Sequence, residues 1–375
     1  MTTPKFSLLA AATLLVAVAV FSSPTAKQAR MNQVQVLGTH NSYKQRIDPS
    51  LLSLLIKESG EEKLIPLEYS HPSIESQLDM GLRALEIDVV YDPNGGLFAH
   101  PKGIEAVAEN NLPPGPPYDP DGLMKKPGFK VMHIPDIDFR SNVYTFQQEL
   151  ALLKAWSDAH PHHVPIPITM NAKDDGLKRP GFVTPLKFDK AAFDAWDAEI
   201  VAGLGRQRLI TPDDVRGKHA TLEEAVLAQD WPLLDSARGK FFFVLDETGE
   251  KLETYIDGHP SLRGRIMFTN STEGHPEAAF RIVNEAHRDA AYIQYLVRSG
   301  YYVRTRADDS TTEARKNDYS RWQAALTSGA QVISTDYELP DPAFHTGYQL
   351  KLPGGGPARW NSLLLPSDWP LPPLE

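Results

Sequence analysis

The chain has 375 residues, of which 41% are hydrophobic and 23% charged, a balance that permits a large buried core and excludes a disordered or fibrous polymer. Its 48 acidic and 38 basic residues give a formal charge of -10, which argues against nucleic acid as the main partner, because a phosphate backbone is met by a basic surface. The absence of cysteine excludes disulfides, thiolate metal sites and a cysteine nucleophile.

The chain opens with Lys5, an apolar run from Phe6 to Phe21, and the small and polar residues Ser22-Ser23-Pro24-Thr25-Ala26. This is the layout of a secretory signal peptide over residues 1–29, and it predicts export to the periplasm or exterior. Cleavage near Ala26 or Ala29 would leave no transmembrane segment; the alternative is an uncleaved N-terminal anchor, although the run is short for a membrane span of about 20 residues. Eight apolar runs then read as buried strands: Val34 to Thr39, Arg83 to Val90, Phe129 to His133, Val164 to Asn171, Lys240 to Asp246, Arg265 to Asn270, Tyr301 to Arg306 and Gln331 to Thr335. Helical spacing recurs between them, in Ser73 to Leu82, Tyr144 to Ala159, Phe188 to Leu204, Ala278 to Ala286 and Asp318 to Ser328. Strand followed by helix over residues 30–351 predicts an α/β fold, a single (β/α)8 TIM barrel.

Two segments stand outside that pattern. Gly95 to Gly128 is rich in Pro and Gly and too long for an ordinary connection, so it reads as an insertion over the mouth. Residues 352–375, with repeated Pro and with Trp360 and Trp369, show neither period and read as a strap across the barrel.

Polar residues gather where the apolar runs end, which in such barrels is the active-site face. His40 and Asn41 follow the first run, Glu86 and Asp88 close the second, His133 ends the third, and Asn171 and Lys173 the fourth. Residues two apart on a strand share a face, so Glu86 and Asp88 form a carboxylate pair. Such a pair binds a hard cation or serves as the acid and base of a glycosidase. The nearby asparagine and the lack of thiolates favour calcium, with magnesium second, over zinc.

His40 is placed to act as a base, although a single histidine is more often a hydrogen-bonded structural group. His100, in the insertion, competes with His133 for the second imidazole, and the helical stretch from Tyr144 favours His133. Arg304 and Arg306 suit a phosphate grip, or pair with Asp308, Asp309 or Asp336. The run His160-Pro161-His162-His163 lies before the fourth strand, away from the mouth, and reads as a solvated turn.

Gly38-Thr39-His40-Asn41-Ser42-Tyr43, Leu85-Glu86-Ile87-Asp88-Val89, His133-Ile134-Pro135-Asp136, Val303 to Asp308 and Ile333 to Tyr337 occur in register. Across residues 33 to 340 they resemble the calcium-dependent phosphatidylinositol-specific phospholipases C, barrel phosphodiesterases of bacteria. The resemblance implies that His40 and His133 are catalytic and that Asn41, Glu86 and Asp88 hold Ca2+. The fourth ligand departs from the family's Glu: Asn171 stands there, an oxygen donor without charge.

Lys173, Arg306 and Tyr337 are the implied grips on phosphate and inositol. The implied reaction is attack of the inositol 2-hydroxyl on phosphorus, releasing diacylglycerol and inositol cyclic phosphate at a membrane interface, by a monomer. A glycerophosphodiester phosphodiesterase shares the barrel and the Glu-x-Asp pair but resembles His-Arg, not His-Asn, after its first strand. A non-catalytic phosphoinositol-binding or lipid-binding barrel is the alternative from another class.

Overall fold

The computed structural model describes residues 29–365 and 374–375. Apart from Ala29, the signal-peptide segment lies outside the described residues. Ten strands form in chain order: β1 Val34–Thr39, β2 Leu85–Val90, β3 Lys130–Val131, β4 Ile166–Ala172, β5 Phe241–Leu245, β6 Phe268–Thr269, β7 Phe280–Ile282, β8 Tyr302–Arg306, β9 Val332–Thr335 and β10 Ala358–Trp360. They make two five-stranded sheets, in the orders β10-β1-β9-β8-β7 and β3-β2-β4-β5-β6.

All pairings are parallel except those of β3 and β10, so eight parallel strands form the ring of a TIM barrel. The ladder is interrupted at two seams. At one, Arg83 N donates to Leu37 O (2.8 Å) and Thr39 N to Ala84 O (3.1 Å). At the other, a single bridge joins Asn270 to Phe280.

Every residue of β1, β2, β5, β8 and β9 is buried, as expected for parallel strands covered on both faces. Gly38 permits the close approach at the first seam: a Cβ there would lie 2.3 Å from Ala84 O. Side-chain caps fix the helix starts that the sequence suggests. Thr145 accepts from Gln148 N at the start of Phe146–Ala159, and Asp189 accepts from Ala192 N at the start of Lys190–Leu204.

Two of the expected elements differ. The run from Phe129 to His133 is not the third barrel strand; it contributes β3, a two-residue antiparallel strand on the edge of β2, pairing Val89 with Val131 and Val90 with Lys130. An apolar run specifies extended backbone but carries no strand direction. The stretch from Ala278 to Ala286, expected to be helical, contains β7, the sixth strand of the ring; the helix begins only at Ala286 and runs to Ser299. A three-residue strand is too short to display alternation, and pairing with Tyr302 to Arg304 decides its state.

The insertion carries a helix of its own, Lys102–Glu109, which packs on Pro49–Ser59, the helix after β1. Ile47, Leu51, Leu55, Leu64, Val107 and Phe139 form a separate apolar cluster there. At the other end of the barrel, β10 pairs antiparallel with the start of β1, and Glu375 accepts from Arg83 (2.7 Å) and from Val164 N (2.6 Å). The described parts of the tail thus bind where β1, β2 and β4 begin. The His-rich turn is not wholly solvated: His163 is buried, bonded to Ser157 Oγ and Val164 O, while His160 stacks on Trp156.

Candidate active site

The turn after β1 is stapled to β2. Ser42 N donates to Glu86 O (2.9 Å), Glu86 N donates to Ser42 Oγ (2.9 Å), and Asn41 adopts φ 47°, a left-handed conformation that asparagine tolerates. This local chemistry brings His40 and Asn41 over the end of the strand that carries Glu86 and Asp88.

His40 Nδ1 lies 2.9 Å from Asp336 Oδ1, at the end of β9, which fixes Nδ1 as the protonated nitrogen and leaves Nε2 to accept. Nε2 is 3.9 Å from Glu86 Oε1 and 3.5 Å from an Arg306 nitrogen. Burial first, then the Arg306 charge, lower the pKa of His40, against the opposing pull of Asp336 and Glu86. A neutral imidazole is the form that can take a proton. Asp336 is held well below the usual carboxylate range: burial opposes ionisation, but His40 and Arg306 outweigh it.

His133 makes a second imidazole–carboxylate pair, Nδ1 to Asp138 Oδ2 at 2.7 Å. Asp138 also lies 3.2 Å from Lys44 Nζ, and Lys44 sits over the ring of Tyr69, which neighbours the His40 ring at 5.7 Å. The two pairs therefore belong to one wall of the mouth. His100 is exposed and lines a separate hollow with Pro101, Ile104 and Tyr118.

The remaining expected residues divide. Glu86 is bound by Arg304 and accepts from Asn171 Nδ2 (3.2 Å), while Lys173 Nζ lies 3.0 Å from Asp88 Oδ2. Arg306 pairs with Asp336 (2.9 Å) and Asp309 (3.2 Å), so the acids claim the arginines that the sequence offered for phosphate. Tyr337 does not offer its ring to a ligand. It is 1% exposed and packs against Tyr348 and Phe344, because the chain after Asp336 turns back under the tail segment around Leu350.

Tyr69, Asp138 and Lys44 were missed by sequence reasoning. Tyr69 lies in a connection with no periodic signal, and Asp138 follows His133 by five residues, a spacing that gains meaning only once the loop folds back. Asp246, where the fifth apolar run ends, also faces this group. Burial pushes its carboxyl to about 6 against the pull of Arg304.

The sequence matches the calcium-dependent phosphoinositide phospholipase C family over residues 29–362. The chain belongs to that family. It is thus a phosphodiesterase of the phosphatidylinositol-specific phospholipase C type. Among solved structures, it is similar to the calcium-dependent phosphoinositol-specific phospholipase C of a Pseudomonas species in complex with myoinositol, with 16% identity and a TM-score of 0.54 over 89% of this chain and 96% of that one. It also resembles the Ca2+-dependent phosphatidylinositol-specific phospholipase C of Streptomyces antibioticus, with 18% identity and a TM-score of 0.49 over 82% and 95%. No curated protein matches the sequence.

Within this family member the donors fit a hard cation by type. Asp88 is fully buried, and its Oδ2 faces Lys173 Nζ at 3.0 Å. Asn41 donates its amide to Tyr69 and Asn171 donates to Glu86, leaving both amide oxygens for a cation. The charges of Glu86 and Asp88 are already balanced, by Arg304 and Lys173, and no group of three His, Asp or Glu is close enough to ligate a metal among the described residues. The site suits a cation bound by a few oxygens, in competition with two of the protein's own charges.

Proposed function

We propose that the mouth cleaves phosphatidylinositol by intramolecular transfer. The inositol 2-hydroxyl gives its proton to His40 Nε2 as its oxygen bonds to phosphorus. The bond from phosphorus to the glycerol oxygen breaks, and His133 protonates that oxygen as diacylglycerol leaves. The other product is inositol cyclic phosphate, which water opens in a second, slower step. Asp336 and Asp138 orient the two imidazoles through Nδ1, leaving each Nε2 for proton transfer.

Calcium, held by Asn41, Glu86, Asp88 and Asn171, would supply positive charge to the attacking hydroxyl and the phosphoryl oxygens. Lys173 and Arg306, each beside an acid of the site, would grip the phosphate. The observation that carries this reading is the pair of imidazole–carboxylate couples, His40–Asp336 and His133–Asp138, linked through Lys44 and Tyr69.

The signal-peptide layout of residues 1–29 supports export. Among the described residues, no helix is long and apolar enough to cross a membrane. Residues 30–351 form the catalytic unit in this reading, with 352–375 as its strap. We take the acting species to be a monomer that meets its phospholipid at a membrane surface.

The test is hydrolysis of phosphatidylinositol by the protein, with calcium and with a chelator, following the phosphorus-containing products by 31P NMR. Calcium-dependent release of inositol cyclic phosphate is expected. Turnover of glycerophosphoinositol alone would point to the lipid-free diester, and no turnover of either to a binding role.

A further inference from the structure

Behind His40 lies a second imidazole that the reaction does not use. His71 is 3% exposed, in the connection before the helix Ile74–Asp79. Its backbone is fixed to the turn after β1: His71 N donates to Lys44 O (3.0 Å), and Gln45 Nε2 donates to His71 O (2.7 Å). Its Nδ1 lies 2.9 and 3.0 Å from the two oxygens of Glu338, which is also buried. Its Nε2 is buried, has no hydrogen-bond partner among the described residues, and stands 3.9 Å from Asp336 Oδ1.

That oxygen is the one that binds His40 Nδ1. The other oxygen of Asp336 takes Arg306 at 2.9 Å, and Asp336 N donates to Asp308 Oδ1 at 2.8 Å. The ring of Tyr69 lies 5.7 Å from both imidazoles. The titratable groups facing His71 are therefore Glu338 and Asp336 from the segment after β9 and Tyr69 from the connection after β1, with the neutral His40 backbone beside them.

We propose that His71 is a positioning residue: anchored by Glu338 and protonated on both nitrogens, it directs Nε2–H at Asp336 and so fixes the carboxylate that orients His40. The inference rests on the reading of His40 as the base. A neutral His71 with its proton on Nδ1 would aim a lone pair at a carboxylate less than 4 Å away, with both side chains buried. The raised pKa of His71 agrees: burial opposes the charge, but Glu338 and then Asp336 outweigh it. A purely structural role for the His71–Glu338 pair predicts lost stability on mutation with no change in the state of His40.

The experiment is side-chain 15N NMR of the histidines in the full chain without substrate, paired with kinetics on phosphatidylinositol, for wild type, Glu338→Gln and Glu338→Asp. In wild type, His71 is expected as an imidazolium at neutral pH, and His40 as the Nδ1–H tautomer. Glu338→Gln should neutralise His71, reduce the Nδ1–H tautomer of His40, and lower kcat about ten-fold with KM unchanged, one step of 1.4 kcal/mol in barrier. Glu338→Asp, which keeps the charge, should restore most of both signals.

A neutral His71 in wild type, or a Glu338→Gln protein whose His40 tautomer and kcat match wild type, overturns the proposal. If wild type fails to hydrolyse phosphatidylinositol, the proposed reaction falls, and the NMR arm alone decides whether His71 governs His40.

Discussion

At Asp88 two demands meet: the carboxylate is fully buried and offered to a cation, yet Lys173 already stands 3.0 Å away. The ammonium keeps its charge there, because the attraction of Asp88 outweighs burial and raises its pKa. Any calcium at this position must share Asp88 with Lys173. Lys173→Ala is therefore expected to tighten calcium binding about ten-fold, since a unit charge near a protein surface contributes on the order of 1 kcal/mol or more at this distance. Titration calorimetry reads this directly, and unchanged or weaker binding contradicts the shared site. His40→Ala should lower kcat by about 10²- to 10⁴-fold, the usual contribution of a general base. Its melting temperature should stay near wild type, because the side chain is 18% exposed at the mouth.

At the level of elements, the helix Phe146–Ala159 buries Glu149 completely, with no partner for either oxygen among the described residues. Burial alone pushes its carboxyl to about 8. Between the unfolded value near 4.5 and about 8 the folded chain holds a proton that the unfolded chain has lost, so stability falls as pH rises through that window. Glu149→Gln removes the ionisation and should stabilise the protein by about 1–3 kcal/mol above pH 8, with little effect at pH 4. Urea melts at the two pH values check it; equal gains at both would show that ionisation is not the cause. At the β1–β2 seam, Gly38→Ala places a methyl 2.3 Å from Ala84 O and 2.4 Å from its Cβ. The strands must separate to admit it, at a cost of about 1–3 kcal/mol, visible as a lower urea midpoint.

For the molecule as a whole, the ring of eight parallel strands separates two tasks. The mouth gathers His40, Asn41, Glu86, Asp88, Asn171 and Asp336, while the opposite end is tied by β10 on β1 and by Glu375 on Arg83 and Val164. Truncation after Gly356 would leave the edge of β1 unpaired and Arg83, which is 6% exposed, without its carboxylate. The truncated chain should melt several degrees lower, at roughly 2–4 °C per kcal/mol lost. An unchanged melting temperature would show that the strap contributes nothing to the barrel.

Much of this was written locally. His40-Asn41 after one apolar run and Glu86-x-Asp88 in the next are short-range patterns, and strand geometry alone puts the two acids on one face. Seven of the eight expected runs fall on strands of the ring, because parallel strands buried on both faces leave continuous apolar runs that need no partner to be recognised. Strand direction and pairing are not local properties. The antiparallel return of β3 and the three-residue β7 followed from hydrogen bonds to β2 and β8, which no window of sequence contains.

The same holds for the charges. The sequence by itself determined the residue types of the site and the strand ends that carry them. Only the tertiary structure decided which charge meets which. His40 finds Asp336 296 residues away, and Arg304 turns to Glu86 across 218, because β1 lies beside β9 in one sheet and meets β2 across the first seam. An arginine near a strand end shows no partner in the sequence, and the fold supplies the acid beside it, since buried charge must be balanced by whatever partner the packing delivers.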